Sequence, residues 1–115
     1  MNSNYSLRAL ALQDLEEIWL YTYKKWGVEQ ADSYLNLLFA RFTWLAGNPL
    51  IGKDRNDIKS GYYCFPEGMH LVFYTICENG IDIIGIPHQS MDVINHLIVD
   101  DTNVSHLKNH PSPNK

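Results

Sequence analysis

From Ser60 to Leu107 the chain has no lysine and no arginine. The same span holds Glu67, Glu78, Asp82, Asp92, Asp100 and Asp101, so this half is acidic and only histidines add positive charge. Residues 1–59 balance seven basic against seven acidic side chains, and residues 108–115 add two lysines. A protein that grips nucleic acid through its phosphates shows the opposite distribution. No direct nucleic-acid binding is therefore expected. Cysteine is scarce: Cys64 and Cys77 are too far apart for a Cys-x-x-Cys motif. In a reducing cytosol both are expected as buried thiols rather than as a disulfide. No apolar run reaches the length of a membrane span. Met1-Asn2-Ser3-Asn4 lacks the basic and apolar regions of a signal peptide, so the cytosol is the expected compartment and no membrane role is expected. Internal repeats, low-complexity stretches and dividing linkers are missing too, which points to one domain over 1–99 and a polar, mobile tail over 100–115.

What is present is a soluble globular composition: 115 residues, 45% apolar, 19% charged, with a net charge of −4. The stretch from Tyr62 to Asp92 organises the rest. Three runs rich in β-branched and aromatic residues are separated by breaks at Pro66-Glu67-Gly68 and Asn79-Gly80, the pattern of a three-stranded antiparallel meander. Asn79-Gly80 reads as a two-residue type I′ turn. In the middle run Leu71, Phe73 and Thr75 point one way and Val72, Tyr74 and Ile76 the other, so this strand is expected to be covered on both faces. On the third run Ile81 and Ile83 alternate against Asp82, and Pro87 ends the pairing or marks an edge.

Upstream, Tyr5 to Leu10 alternates loosely and reads as a further strand of the sheet. Leu12, Leu15, Trp19, Tyr23 and Trp26 then recur at helical spacing, which predicts a buried stripe with Trp19 packed between the helices and the sheet. Asp14, Glu16 and Glu17 fall near the positive end of that helix dipole, and Gly27 suits a left-handed close. A second stripe follows at Ala31, Leu35, Leu38, Phe42 and Leu45, ended by Gly47-Asn48-Pro49. So short a link predicts an antiparallel helical hairpin. Leu37 and Trp44 lie off the stripe and Phe39 flanks it. A wide buried face is the expected reading; an exposed patch for a partner is the alternative. Leu50 to Lys59 is a polar connector, and Val93 to Val99 adds a turn of helix. The fold class is α+β, in the order β-α-α-β-β-β, with a helical hairpin packed on a small antiparallel sheet.

Few residues advertise chemistry. A two-residue turn at Asn79-Gly80 pairs Leu71 with His88 and His70 with Gln89, so the histidines face opposite ways unless a bulge near Pro87 reverses one of them. The same arithmetic puts Cys64 near His70 and far from Cys77, so neither a metal site nor a disulfide is expected. Nothing marks either thiol as acidic, and Gly61, Gly68, Gly80 and Gly85 form no phosphate cradle. Tyr62, Tyr63 and Tyr74 read first as core or cross-strand partners. Arg55 is either solvated or tied to Asp92 or Glu67. No cofactor is expected.

Four pieces in order carry a family resemblance. Asp14-Leu15-Glu16-Glu17-Ile18-Trp19 leads to Trp26-Gly27-Val28-Glu29-Gln30-Ala31; Asn48-Pro49-Leu50-Ile51-Gly52-Lys53 opens the connector; Gly61 and Phe65-Pro66 lead to His70-Leu71-Val72-Phe73-Tyr74; and His88-Gln89-Ser90-Met91-Asp92 follows the last strand. Over about residues 5–97 the chain resembles the ParE toxins of bacterial toxin–antitoxin systems, within the wider RelE/ParE fold. The resemblance implies a non-catalytic poison of DNA gyrase neutralised by a ParD-like antitoxin. The alternatives are ribosome-dependent messenger-RNA cleavage of the RelE kind and a degenerate, non-toxic binding module. His70, Tyr74, His88 and Asp92 match the family pattern and, with Arg55, form the candidate functional surface. Leu37, Phe39 and Trp44 form the candidate antitoxin contact. The chain departs from the pattern at Tyr63 and Gly85, where relatives often carry Arg, and at Pro87, where they often carry Leu.

Overall fold

The computed structural model describes residues 4–98. Strand β1 (Asn4–Leu7) leads into helix α1 (Ala9–Trp26), and a single glycine separates it from α2 (Val28–Gly47). Gly27 closes one helix and opens the next with φ 97° and ψ 175°, a conformation that only glycine adopts readily. Its amide donates to the Tyr23 carbonyl at 2.8 Å, which satisfies the end of α1. After a 3-10 turn over Pro49–Ile51 come β2 (Lys53–Asp54), β3 (Tyr62–Glu67), β4 (His70–Cys77) and β5 (Gly80–Gly85). The last described residues are helical over 93–98. The polar tail over 100–115 that the sequence sets apart lies outside the described residues.

The strands form one sheet in the order β1-β5-β4-β3-β2. β1 runs parallel to β5, and every other pairing is antiparallel. The connector thus adds a two-residue strand that its polar sequence concealed. β4 is central, and Val72, Phe73 and Tyr74 are all buried. The hairpin covers one face: Val72, Tyr74, Ile81 and Ile83 meet Leu15, Ile18, Leu38, Phe42 and Leu45. The other face carries a smaller cluster in which Leu97 of the 93–98 helix joins Leu10, Tyr62, Cys64, Phe73 and Ile84.

Both turns differ from their expected positions. Cys77 pairs with Gly80, so Glu78-Asn79 is the two-residue turn and Gly80 is already in the strand. Among the described residues none other than glycine has positive φ, so this is not a type I′ turn. Gly80 is required for a different reason: a Cβ there would run into the Asn4 carbonyl of the adjoining β1. The other turn is Gly68-Met69, because Glu67 pairs with His70. Gly68 has φ 59° at the first position, as a II′ turn demands. Cys64 therefore opposes Phe73 rather than approaching His70. Cys64 is buried but Cys77 is exposed at the end of β4, and both are free thiols.

The α2 stripe is buried as its spacing predicts. The α1 stripe is not. Leu12, Tyr23 and Trp26 face solvent, and the buried residues are Leu10, Ala11, Asp14, Leu15, Ile18 and Thr22. Two polar residues lie on the inward face with their partners satisfied, and of these Asp14 is the one that ties the helix to another element. Thr22 Oγ1 donates to the Ile18 carbonyl at 2.7 Å, and the Asp14 carboxylate accepts the Ile86 amide at 2.7 Å. Asp14 is therefore an internal anchor rather than a dipole partner. Trp19 is half-buried: its indole donates to Asp32 Oδ1 at 2.8 Å and stacks on Tyr23, joining the two helices at their outer seam.

Candidate functional site

A groove of about 540 Å³ runs between α1 and the β4–β5 end of the sheet. Asp14, Ile18, Thr22 and Trp26 form one wall, and Met69, His70, Ile86, His88 and Met91 form the other. The two histidines meet here, contrary to the expectation from the turn. The register shifts at Phe73/Tyr74, so that Tyr74 opposes Ile83 while Phe73 opposes Gly85. This bulge, with the displaced turn, makes His70 and His88 direct partners in an antiparallel bridge. Their rings stand edge to face with centroids 5.3 Å apart. The reversal considered near Pro87 arises instead from a bulge inside the β4–β5 ladder.

Tyr34 of α2 holds one histidine. Its hydroxyl donates to the Glu67 carbonyl at 3.2 Å, accepts the Met69 amide at 3.3 Å and lies 2.8 Å from His70 Nδ1. Burial, then the neighbouring His88, pushes the His70 imidazole down to about 4, so it is neutral at physiological pH. Burial raises the Tyr34 phenol above its usual range. On the other histidine, Nδ1 lies 2.8 Å from Ser90 Oγ and 3.1 Å from the Ser90 amide.

The remaining candidates are dispersed, each with a structural task. Tyr74 is fully buried, donates to the Pro49 carbonyl at 2.8 Å and accepts the Gly52 amide at 3.1 Å, tying the connector to the sheet. It stacks on Tyr63, and burial raises its phenol. Asp92 caps the 93–98 helix, accepting the Asn95 amide at 3.3 Å and the Asn95 side chain at 2.7 Å. Arg55 takes neither partner foreseen for it. It forms a two-pronged pair with Asp57, both contacts at 3.0 Å, and its guanidinium lies over Phe73. Glu67 instead accepts from Arg41 at 2.7 Å.

On α2, Phe39 packs against the core, whereas Leu37 is 57% exposed and Trp44 38% exposed. The wide buried face is thus corrected to an exposed strip. Arg41 lies over the Trp44 ring at 4.6 Å and over Phe65 at 5.2 Å, so Trp44 belongs to an outer layer above the core.

Sequence reading missed Asp14, Tyr34 and His96. His96 Nε2 lies 3.0 and 2.9 Å from the two Asp14 oxygens, so one carboxylate joins α1, the end of β5 and the 93–98 helix. The available signal was that Ala11, Asp14, Leu15, Ile18 and Thr22 also keep helical spacing. Among the described residues no group of three or more His, Cys, Asp or Glu is arranged to hold a metal, and no helix is long and apolar enough to cross a membrane.

Comparison with known proteins agrees with this architecture. The family model described as the ParE toxin of type II toxin-antitoxin system, parDE, matches residues 5–93. "Toxin ParE1" of Mycobacterium tuberculosis (strain CDC 1551 / Oshkosh) is 42% identical over 98 residues, covering 84% of this chain and all of that protein. "Toxin ParE1" of Caulobacter vibrioides is 38% identical over 93 residues, covering 81% of this chain and 96% of that protein. A solved structure titled "Chromosomal ParDE TA system from P. aeruginosa" shares the fold, with a TM-score of 0.63 at 16% identity, over 74% of this chain and 94% of the other.

Proposed function

The chain belongs to the ParE toxin family of type II toxin–antitoxin systems, and from that premise we propose that it arrests DNA gyrase by binding and is neutralised by a ParD-like antitoxin. The observation that carries the reading is the chemistry of the sheet face. Cleaving RNA needs a base, an acid and cationic charge for the phosphorane. The face offers His70, held neutral by burial, beside His88, with no lysine or arginine from Ser60 to Leu107. Of the cations on adjoining elements, Arg41 and Arg55 are engaged by Glu67 and Asp57, and Lys25, on the α1 wall of the groove, lies against the Tyr21 and Trp26 rings. Gyrase poisoning asks for none of these groups. It asks for a surface that binds one state of the gyrase–DNA complex better than the others.

Within this reading Leu37 and Trp44, with Phe39 on the other flank of the buried stripe, meet the antitoxin, since exposed apolar side chains on so small a protein suit an amphipathic partner segment. Tyr74 and Asp92 support the fold, and His70 and His88 act as contact groups. Expression of the chain in bacteria carrying a DNA-damage reporter tests the proposal. Growth arrest with reporter induction, both relieved by co-expressing a ParD-like antitoxin, is expected. Arrest without induction, accompanied by collapse of messenger RNA, would favour the RelE-like alternative.

A further inference from the structure

We propose that two copies of this chain pair through the outer face of α1, antiparallel about a twofold axis at Trp19–Leu20. The sequence spacing marked Leu12, Leu15, Trp19, Tyr23 and Trp26 as a buried stripe, yet of these only Leu15 is fully buried. Leu12, Tyr23 and Trp26 face solvent and Trp19 is half-buried, so most of the stripe is left without a cover.

The face has the spacing that another helix requires. Leu12, Trp19 and Trp26 recur every seven residues and Tyr23 falls four after Trp19, the pattern of a coiled-coil seam. The exposed Leu20 widens this seam, one step of about 100° further round the helix from Trp19. On the side towards α2, the Trp19 indole is held by Asp32 at 2.8 Å and its ring stacks on Tyr23. The two central rings are therefore fixed in one arrangement before any partner arrives. An exposed apolar row of this length on a small protein ordinarily meets a partner.

Charge selects that partner. Glu16 sits within the seam, between Leu12 and Trp19, and Lys24 follows Tyr23 at its edge. Both are exposed, and among the described residues neither has an ion pair or a hydrogen bond within the chain. The other charges of α1 are engaged: Lys25 lies over the Tyr21 and Trp26 rings, Glu17 accepts from Gln13, and Asp14 is taken by Ile86 and His96. A second α1 laid antiparallel supplies both missing partners. With the axis at Trp19–Leu20, Glu16 of one copy meets Tyr23 and Lys24 of the other, Leu12 meets Trp26, and symmetry repeats each contact. A parallel pair would instead set Glu16 on Glu16 and Lys24 on Lys24, which like-charge repulsion disfavours.

α1 has 18 residues, about 27 Å along its axis, so the contact lies at the small end of specific interfaces and the dimer is weak and reversible. His70 and His88 on the sheet wall of the groove, and Leu37 and Trp44 on α2, are not part of the seam. Trp26 is shared, ending the seam and forming part of the groove wall.

Sedimentation equilibrium of the full chain tests the pairing, under reducing conditions that keep the exposed Cys77 from cross-linking. The wild type is expected to pass reversibly from monomer to dimer as concentration rises. Glu16→Lys sets like charges together on both sides of the axis, as does Lys24→Glu, and each should weaken the dimer by at least about 10-fold. A one-to-one mixture of these two variants restores opposite charges at both positions, and should recover a dimer of wild-type strength holding one chain of each. Leu20→Glu, at the axis, should leave a monomer. All three side chains are exposed, so the variants keep the fold, and urea melts coincident with the wild type check this. Three results overturn the proposal. One is self-association unchanged in both charge variants. Another is a mixture that associates no better than either variant alone. The third is a wild type that stays monomeric throughout, whether or not Leu20→Glu then abolishes antitoxin binding and so assigns the face to the antitoxin.

Discussion

The two helices of the hairpin bury different kinds of face. α2 turns inward Ala31, Leu35, Leu38, Phe42, Leu45 and Ala46, all apolar. α1 turns inward Asp14 and Thr22 among Leu10, Ala11, Leu15 and Ile18. The fully buried stripe of the first carries no polar side chain, its directed bonds from Tyr34 and Arg41 lying at the flank, so its sequence spacing states its orientation. The second is held partly by directed bonds, and those can override a competing apolar stripe. The directed face also lines the groove that contains His70 and His88, so the helix that was harder to read is the one beside the candidate site.

Four substitutions sharpen this comparison, from the largest effect to the smallest. Phe42→Ala removes a fully buried ring that sits edge-on to Tyr5 and Phe39, and should cost about 3–5 kcal/mol in a urea melt. Asp14→Ala strands the Ile86 amide and takes the carboxylate from His96, and should cost about 2–3 kcal/mol; native-state hydrogen exchange should show Ile86 and the 93–98 helix losing protection first. Trp19→Ala loses one hydrogen bond and a half-exposed stack, for about 1–2 kcal/mol, well below the cost of a core tryptophan. Trp26→Ser should stay within about 0.5 kcal/mol, since that ring is 61% exposed. If Trp26→Ser cost as much as Phe42→Ala, the rotation of α1 described above would be wrong.

A pH scan adds a smaller effect. The folded state holds His70 at about 4, below the ordinary 6.5, so the unfolded chain binds the proton more readily in between. The contribution is fully present above pH 6.5 and is lost as pH falls towards about 4. His70→Gln should flatten that part of the stability profile.

Much of the fold was legible because the elements obey local rules. The β-α-α-β-β-β order, the α2 stripe, Gly27 as a helix terminator and the two-sided burial of β4 all follow from spacing and backbone sterics. What escaped was set by register. Asn79-Gly80 reads as a turn, but β1 approaches Gly80 so closely that the glycine is needed in the strand, which displaces the turn by one residue. One further slip at Phe73/Tyr74 brings the histidines together. A strand alternates faces with every residue, so errors of one position reverse every conclusion about who shares a site. Tyr34 and His96 escaped for a different reason: their partners lie 36 and 82 residues away, beyond any local pattern.

Action by binding gyrase and action by cutting RNA separate in one pair of assays. The most direct measurement places the purified chain with gyrase and supercoiled plasmid, and separately with translating ribosomes, and repeats both with the double variant His70→Gln/His88→Gln. If the chain works by binding gyrase, the wild type inhibits supercoiling or accumulates cleaved gyrase–DNA complexes, the variant does so with weakened apparent affinity, and ribosome-bound messenger RNA stays intact with both. Codon-specific cuts made by the wild-type chain and abolished in the variant, with gyrase untouched by either, would contradict it.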